Sequence, residues 1–514
     1  MLYLLGLPLT ALNNMPQLAQ LTGEHNASCF GWSLVSLDFN HDGYDDLVVF
    51  AAGYGYVYQQ SPSRGKVYIY YGGPGFSSAT EPAMTLEGDY PEGVQRAITE
   101  IINVGDVNGD GFDDLVVMDY VPHVSGSSRC MFYYGENNSL DAPDRIELPL
   151  PNESYIPYFK LGDVDGDGYD DIGIFYTIHS YPFFDIMWGG SFQRQTIHHL
   201  ESSNMEFNGS IVGIGDIDND GFKDFSIGYL GENSYSTIRI YRGNSDRVFT
   251  EYTLLHYTPY QTTRTCKPLG DLNGDGYDDF IGYANIHGIM VWLGTDVLEP
   301  ASPDVVLNPV YIGNNYLDSL EAGDFNGDGY SDVVGASYNS RRFAVWMGSP
   351  SMNGHADWQK TSTLNKFGYD IAVGDFNGDG FDDIAVSAPM NEQGIAWEHQ
   401  GYVFIYAGNA GMVANDDPQL LPPPQLSIRV FPNPLRREEI VQMEIKAATY
   451  PGEDQAILSI FNVRGQKVYQ QENIPISGIS TALPLNLHGL SNGVYLCHIA
   501  IGNMRSTTKF SIMK

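Results

Sequence analysis

The sequence predicts an all-β protein built mainly from seven copies of one four-stranded unit. A nine-residue pattern, Asp-x-[Asn/Asp]-x-Asp-Gly-x-x-Asp, occurs seven times. A short β-rich run follows each copy, such as DLVVF after the first and DIAVS after the last. An apolar run ending in aromatic-x-Gly then completes each repeat, as at Tyr70 before Gly72 and Tyr406 before Gly408.

The spacing of the nine-residue patterns predicts the architecture. They begin at Asp38, Asp106, Asp163, Asp216, Asp271, Asp324 and Asp375, and we call them loops 1 to 7. Successive loops start 68, 57, 53, 55, 53 and 51 residues apart. Four-stranded units repeated at this period form β-propellers, with one unit in each blade. We therefore predict a seven-bladed β-propeller over residues 15–410.

The composition of each loop indicates a cation site. Oxygen-bearing side chains at positions 1, 3, 5 and 9 can surround one hard cation, and the backbone carbonyl of position 7 adds a ligand. Gly at position 6 permits the sharp turn because it tolerates positive φ. We expect up to seven Ca²⁺ ions, one in each repeat. The predicted ligands are Asp38, Asn40, Asp42, Tyr44, Asp46, Asp106, Asn108, Asp110, Phe112, Asp114, Asp163, Asp165, Asp167, Tyr169, Asp171, Asp216, Asp218, Asp220, Phe222, Asp224, Asp271, Asn273, Asp275, Tyr277, Asp279, Asp324, Asn326, Asp328, Tyr330, Asp332, Asp375, Asn377, Asp379, Phe381 and Asp383.

The residues after the loops exclude an EF-hand, the commonest protein with similar loops. An EF-hand loop ends in a bidentate Glu at position 12 and runs into a helix. Position 12 is Val, Ile or Gly in all seven copies, and the residues around it are β-rich. These loops are therefore expected to join strands.

The two ends of the array predict how it closes. The segment from Met15 to Gly31 resembles residues 81–98, where the last strand of one repeat leads into the next. No equivalent fourth strand follows Gly408. We expect residues 15–22 to supply the outer strand of the last blade, because that pairing removes an exposed sheet edge.

Two repeats carry further motifs. The first contains Phe30-Gly31 and the strand GKVYIY at 65–70, and the last contains Phe367-Gly368 and a Ser-Ala-Pro at 387–389. With these motifs, residues 15–410 resemble the FG-GAP repeats of integrin α-subunit head domains and their bacterial relatives. The resemblance implies that the calcium loops are structural and share one face of the propeller, while partners usually bind the other face.

The last quarter of the chain has a different character. Three consecutive prolines at 422–424 stiffen an extended linker, which we place at 411–425. In residues 426–514, alternating apolar residues and Gly or Pro turns predict a small antiparallel, Ig-like β-sandwich. Its FPNP, NVRGQ and GVYLCHI segments closely resemble the type A sorting domain of the type IX secretion system. The resemblance implies export across an outer membrane by that machinery, followed by release or surface attachment.

Composition limits the partners and the location. The 63 acidic and 26 basic residues give a formal net charge of −37, and nucleic acid is not expected as a partner because binding it normally needs a basic patch. No segment is long and apolar enough to span a membrane. Residues 1–14 contain an apolar run suited to a signal peptide whose start is truncated. We expect a monomer that is secreted or held on the outer surface.

The four cysteines give little information. They lie far apart and form no Cys-x-x-Cys motif, so neither a zinc site nor a dense disulfide framework is indicated. A bridge between Cys29 and Cys130 would join neighbouring blades, but buried free thiols are the preferred interpretation.

Several residues invite a catalytic interpretation. Paired carboxylates occur at positions 8 and 9, as in Asp45-Asp46, but neighbouring calcium would hold them ionised. We expect His198-His199 in a solvent-exposed turn. No Gly-x-Ser-x-Gly elbow or His-Glu-x-x-His helix occurs, so an enzyme is not predicted.

The predicted function is a calcium-stabilised module for binding or adhesion, with an extracellular protein or glycan as its ligand. A carbohydrate-binding lectin is one alternative, which exposed aromatic side chains repeated between blades would favour. A calcium-dependent polysaccharide lyase is a second alternative. It would need a Tyr, Lys or His base beside a calcium-bound uronate.

Overall fold

The chain forms two compact units, Met1–Asp417 and Pro418–Lys514, in a computed structural model. All secondary-structure elements of the described residues are β-strands, so the predicted all-β class is confirmed. The predicted signal peptide and residues 413–425 of the predicted linker lie outside the described residues. The structure describes residues 15–25, 28–54, 64–88, 97–120, 129–135, 144–146, 157–178, 181–199, 210–230, 236–249, 251–257, 266–285, 288–295, 303–307, 319–352, 354–390, 400–412, 426–431, 435–436, 441–447, 455–462, 467–475, 480–485, 490, 493–501 and 504–513.

The first unit consists of short strands of three to nine residues. In chain order they are β1 (Gln17–Thr22), β2 (Phe30–Leu37), β3 (Asp46–Ala51), β4 (Lys66–Tyr70), β5 (Met84–Glu87), β6 (Ala97–Gly105), β7 (Asp114–Tyr120), β8 (Arg129–Tyr133), β9 (Asp144–Ile146), β10 (Tyr158–Gly162), β11 (Asp171–Ile178), β12 (Tyr181–Met187), β13 (Arg194–His199), β14 (Ser210–Gly215), β15 (Asp224–Leu230), β16 (Ser236–Tyr241), β17 (Glu251–Tyr257), β18 (Lys267–Gly270), β19 (Asp279–Asn285), β20 (Gly288–Trp292), β21 (Val305–Leu307), β22 (Ser319–Gly323), β23 (Asp332–Ser337), β24 (Arg342–Trp346), β25 (Trp358–Thr361), β26 (Ile371–Gly374), β27 (Asp383–Ala388) and β28 (Tyr402–Tyr406).

These strands form four-stranded antiparallel sheets, one for each loop, and we number each sheet by the loop it contains. Sheet 1 has the order β2-β3-β4-β5, and sheets 2 to 6 repeat it with the strands that follow. In every sheet the loop joins the first strand to the second, and position 9 is the first residue of that second strand. The predicted unit of strand, loop, strand, turn, strand is confirmed.

Sheet 7 contains strands from both ends of the array. Its order is β1-β28-β27-β26, and β1 runs antiparallel to β28 with Gln20 opposite Phe404 and Thr22 opposite Tyr402. The expectation that residues 15–22 supply the outer strand is therefore confirmed. The pairing satisfies the backbone groups along the free edge of β28.

The core of the first unit lies between the sheets. Seven clusters of buried side chains each combine residues of two neighbouring sheets, and one of them joins sheet 7 to sheet 1. The aromatic residue of each aromatic-x-Gly segment belongs to such a cluster, for example Tyr133 at 3% exposure and Trp346 at 0%. These rings pack sheet against sheet.

The first strands of the sheets also follow one another in a cycle. Each contacts the first strand of the next sheet, from β2 and β6 through to β22 and β26, and β26 contacts β2. Together they line a cavity of about 910 Å³.

The second unit contains a three-stranded sheet of order β29-β31-β34 and a five-stranded sheet of order β30-β36-β35-β32-β33. The pair β30 and β36 is parallel, so the expectation of a purely antiparallel domain is wrong at this point. β30 has two residues and joins the edge of the second sheet rather than pairing with the strand before it, so no hairpin constrains its direction. The strands are β29 (Leu426–Phe431), β30 (Leu435–Arg436), β31 (Val441–Ala447), β32 (Gln455–Asn462), β33 (Lys467–Pro475), β34 (Ser480–Leu485), β35 (Gly493–Ile501) and β36 (Met504–Met513).

Candidate metal centres

The carboxylate at position 1 organises each loop. In loop 2, Asp106 Oδ1 accepts hydrogen bonds from the backbone N–H groups of Gly109 and Asp110 at 2.7 and 3.1 Å. Asp106 Oδ2 accepts another from Gly111 at 2.8 Å. The Asp110 carboxylate in turn accepts from the N–H of Phe112 at 3.0 Å. The loop therefore wraps around its own carboxylates, which brings positions 1, 3 and 5 together.

Two backbone positions in each loop require a left-handed conformation. The Gly at position 6 has φ between 87° and 95° in all seven loops, as the sequence predicts. Position 4 also has positive φ, between 54° and 76°, and it is Gly in five loops, His41 in loop 1 and Asn219 in loop 4. Gly, Asn and Asp adopt this region most readily. The Gly at position 4 of five loops is a further sequence signal for this turn, beside the Gly at position 6.

The oxygens in two loops converge at the spacing of a calcium site. One carboxylate oxygen from each of Asp163, Asp165 and Asp171 lies within 4.8 Å of the others, and Asp216, Asp218 and Asp224 are arranged alike. Calcium binds oxygen at about 2.3–2.6 Å, so two ligands of one ion lie at most about 5 Å apart. The Asp218 side chain is 5% exposed, and its buried Oδ1 has no hydrogen-bond partner among the residues that the structure describes. The carboxylate oxygens at positions 1, 3 and 9 of these two loops therefore fit a hard divalent cation.

The carboxylate at position 9 is completely buried in every loop. In loop 2, Asp114 Oδ1 accepts from the N–H of Gly135 at 3.2 Å, and Oδ2 accepts from the N–H of Val107 at 3.1 Å. The first of these bonds recurs in all seven repeats, and its donor is the Gly of aromatic-x-Gly in six of them and Gly189, directly after Trp188, in repeat 3. Position 9 therefore ties the loop to the turn that ends the third strand of the same sheet.

Burial raises the pKa of these carboxyl groups, and the other loop carboxylates raise it further, although the backbone N–H bonds oppose the shift. The pKa is about 7 for Asp46 and Asp279, and about 8 for Asp114, Asp171, Asp224 and Asp383. The pKa of Asp332 is also raised well above its usual range. A divalent cation beside such a group would favour the ionised form.

The side chain at position 8 reaches the neighbouring repeat. Oδ2 of Asp170, in loop 3, accepts from the backbone N–H of Asp106, the first residue of loop 2, at 3.2 Å. The same bond joins Asp278 to loop 4 and Asp382 to loop 6. These carboxylates therefore connect neighbouring loops. This contact accounts for the paired acids at positions 8 and 9 without a catalytic role.

The aromatic side chain at position 7 also packs against the preceding loop. The Tyr169 ring lies against Gly109, where an added Cβ would be 2.5 Å from the ring. The Phe112 ring lies 4.8 Å from the His41 ring, and Tyr44 packs against Gly378 of loop 7. The sequence pattern predicted a role only for the backbone carbonyl of position 7, so this ring contact was missed.

Other predicted features lie away from the loops. His198 and His199 belong to β13, opposite Phe184 and Phe183, so the expected exposed turn is wrong. Their segment, RQTIHH, pairs with β12 as a strand. All four cysteines are buried free thiols, as preferred above.

Comparisons with known proteins agree with the loop pattern. The FG-GAP repeat family matches residues 30–70 and 367–406, and the FG-GAP-like repeat family matches residues 106–174, 216–282 and 324–386. The secretion system C-terminal sorting domain matches residues 429–513. The chain is an FG-GAP repeat protein with a C-terminal sorting domain. This FG-GAP repeat protein is therefore directed to the cell surface or the exterior.

Similar proteins include integrin α-subunits. Integrin alpha-7 of Rattus norvegicus is 35% identical over 159 residues, which cover 29% of this chain and 13% of the integrin. Integrin alpha-IIb of Mus musculus is 30% identical over 165 residues, covering 30% of this chain and 15% of the integrin. The FG-GAP repeat protein thus matches a small part of the length of these relatives.

Among solved structures, a similar one is PorZ, a bacterial surface component of the type IX secretion system of Porphyromonas gingivalis. It has 13% sequence identity and a TM-score of 0.41, covering 94% of this chain and 59% of PorZ. No helix in the described parts of the FG-GAP repeat protein is long and apolar enough to cross a membrane.

Proposed function

We propose that this protein is an exported, seven-bladed β-propeller that acts as a binding or adhesion module and is made rigid by calcium on one face. The four-stranded sheets would be the blades, and the second unit a sorting β-sandwich. The cyclic contacts of the first strands and the pairing of β1 with β28 support a closed ring.

The lengths of the connections carry the functional part of this proposal. At one end of the sheets, the connection between the first and second strands has eight residues in every repeat, because it is the metal loop. At the other end, the connection between the second and third strands ranges from two residues (179–180) to fourteen (52–65). Variable loops on a rigid scaffold are where binding residues concentrate. We therefore place the ligand surface at the end opposite the metal loops.

At the metal-loop end of the sheets, calcium would have a structural role. Each loop is bound to its own sheet through position 9 and to the preceding loop through position 7, position 8 or both. A cation in each loop would neutralise carboxylates that otherwise repel one another, and so would stabilise all seven connected loops. The carboxylates are engaged in these contacts, which favours a structural role over a catalytic one.

The test is binding of the purified protein to arrays of glycans and extracellular proteins, in calcium and in chelator. We expect calcium-dependent binding, and we expect it to disappear when residues 55–63 and 391–399 are each replaced by an Asn-Gly turn. Val248→Ser at the metal-loop end, where Val248 is 70% exposed, should leave binding unchanged. If the protein binds an acidic glycan and leaves it intact, the lectin alternative is supported. If the protein cleaves the glycan, the lyase alternative is supported. Binding that is lost with Val248→Ser but kept after the loop replacements would contradict the assignment of the face.

A further inference from the structure

Position 3 divides the seven loops into two classes. It is Asn in loops 1, 2, 5, 6 and 7, and Asp in loops 3 and 4. In four of the Asn loops, the Asn Nδ2 donates to Oδ2 of the Asp at position 5. The donors and distances are Asn40 at 3.1 Å, Asn108 at 2.8 Å, Asn273 at 2.9 Å and Asn326 at 2.8 Å. A carboxylate at position 3 has no N–H group with which to make this bond.

An arginine fills this role in loop 3. The guanidinium of Arg247 donates from Nε to Asp165 Oδ2, at position 3, and from Nη2 to Asp167 Oδ2, at position 5, the latter over 2.9 Å. It therefore connects the same two side chains that the Asn amide connects elsewhere. Oδ1 of the residue at position 3 makes the same bond in both classes of loop. Asp165 Oδ1 accepts from the N–H of Asp167 at 3.1 Å, and Asn108 Oδ1 accepts from the N–H of Asp110 at 2.9 Å.

Loop 4, the other loop with Asp at position 3, also has an arginine beside that residue. Arg242 Nε lies 2.6 Å from Asp218 Oδ2. Both Asp-containing loops therefore carry a compensating guanidinium, and the added negative charge is balanced in each.

The surroundings of Arg247 hold it in place. Its guanidinium stacks over the Trp188 ring, 4.4 Å from the ring centroid, and its backbone carbonyl accepts from Gln195 Nε2 at 2.9 Å. Its φ of 54° lies in the left-handed region, which is uncommon for a residue other than glycine. Arg247 comes from the turn between β16 and β17 of sheet 4, while Trp188 and Gln195 belong to sheet 3.

We propose that Arg247 is a positioning residue of the cation site in loop 3, where its guanidinium replaces the Asn amide that aligns positions 3 and 5 in other repeats. The proposal rests on the calcium role proposed above. Since the arginine belongs to repeat 4, the site in loop 3 is completed by the neighbouring repeat. Arg242 balances loop 4 from within its own sheet.

The experiment compares backbone amide hydrogen exchange of residues 163–171 in the full chain, with chelator and with calcium. In chelator, R247Q should exchange about tenfold faster in this segment, the effect expected for loss of a charge-assisted bidentate bond. Residues 106–114 of loop 2 should not change. The double variant D165N/R247Q should return to within about twofold of wild type, because the amide introduced at position 3 can supply the missing N–H donor. R247K keeps the charge but cannot bridge both carboxylates as a fork, so it should recover only part of the protection.

K360Q is the matched control. Lys360 Nζ lies 5.6 Å from the centroid of the Tyr406 ring, at the aromatic-x-Gly position of sheet 7, so this variant also removes a cation stacked on such a ring. It should leave exchange of residues 163–171 unchanged. The proposal is overturned if R247Q exchanges like wild type, or if D165N fails to restore protection. If calcium protects no loop of the wild-type protein, the calcium role fails, and the comparison in chelator still decides whether Arg247 organises the loop.

Discussion

The backbone N–H of Asp375 donates a hydrogen bond to Oδ2 of Asp45 over 2.9 Å, which joins loop 7 to loop 1. Asp45→Ala removes this acceptor and leaves a half-buried N–H unsatisfied. We expect a loss of about 1–2 kcal/mol in the free energy of unfolding, measured by urea denaturation in saturating calcium. Ser331→Ala, at the same position of loop 6, should cost less than about 0.5 kcal/mol because the link there is made by the backbone. Equal effects of the two substitutions would refute a role for the position 8 carboxylate.

The Gly in aromatic-x-Gly is predicted to be intolerant of any side chain. An added Cβ at Gly72 would lie 2.3 Å from the backbone oxygen of Asp45 and would displace the N–H that binds Asp46. Gly72→Ala should therefore lower the thermal unfolding midpoint more than Gly75→Ala. At Gly75 nothing lies within 4 Å of the added Cβ, and only backbone strain at a φ of 120° opposes it. A smaller effect at Gly72 would contradict the packing argument.

Substitutions at positions 5 and 9 of a loop should change the stability of the protein in different ways when calcium is removed. Asp114→Ala removes a candidate ligand, leaves the buried N–H of Gly135 without its acceptor, and leaves the N–H of Val107 only the backbone carbonyl of Gly105, so it should destabilise the protein in both calcium and chelator. Asp110→Ala should reduce stability mainly in calcium, because its contacts lie within the exposed loop. Thermal unfolding of both variants under both conditions measures the difference. Identical calcium dependence would argue against separate roles.

Metal-free protein should be more stable at lower pH. The pKa of Asp114 is about 8 in the folded chain, chiefly because of burial, against about 3.9 for an unperturbed Asp. A group whose pKa is raised on folding contributes stability at low pH that is lost as the pH rises through the folded value. In chelator, the unfolding midpoint should therefore fall between pH 5 and pH 9. Calcium should flatten this dependence, and a midpoint in chelator that rises with pH would contradict the account.

Much of the array could be predicted because its signals are local. The nine-residue pattern contains the ligands and the Gly at position 6, and the resemblance of residues 15–31 to 81–98 predicts the pairing of β1. The roles of the side chains at positions 7 and 8 could not be predicted, because each depends on a residue of an adjacent loop. Arg247 was missed for the same reason, since it lies 80 residues from Asp167 in the chain. Only the Asp at position 3 of loops 3 and 4 hinted that a counter-charge was needed.

The pairing of β1 with β28 also bears on synthesis. The ribosome makes β1 first, yet its partner is complete only once residue 406 has been added. At about 5–20 residues per second, the 384 residues from 22 to 406 take about 20–80 s to translate. Throughout that time β1 has no native neighbour along its hydrogen-bonding edge, so the backbone groups on that edge stay unpaired until the far end of the array has been made.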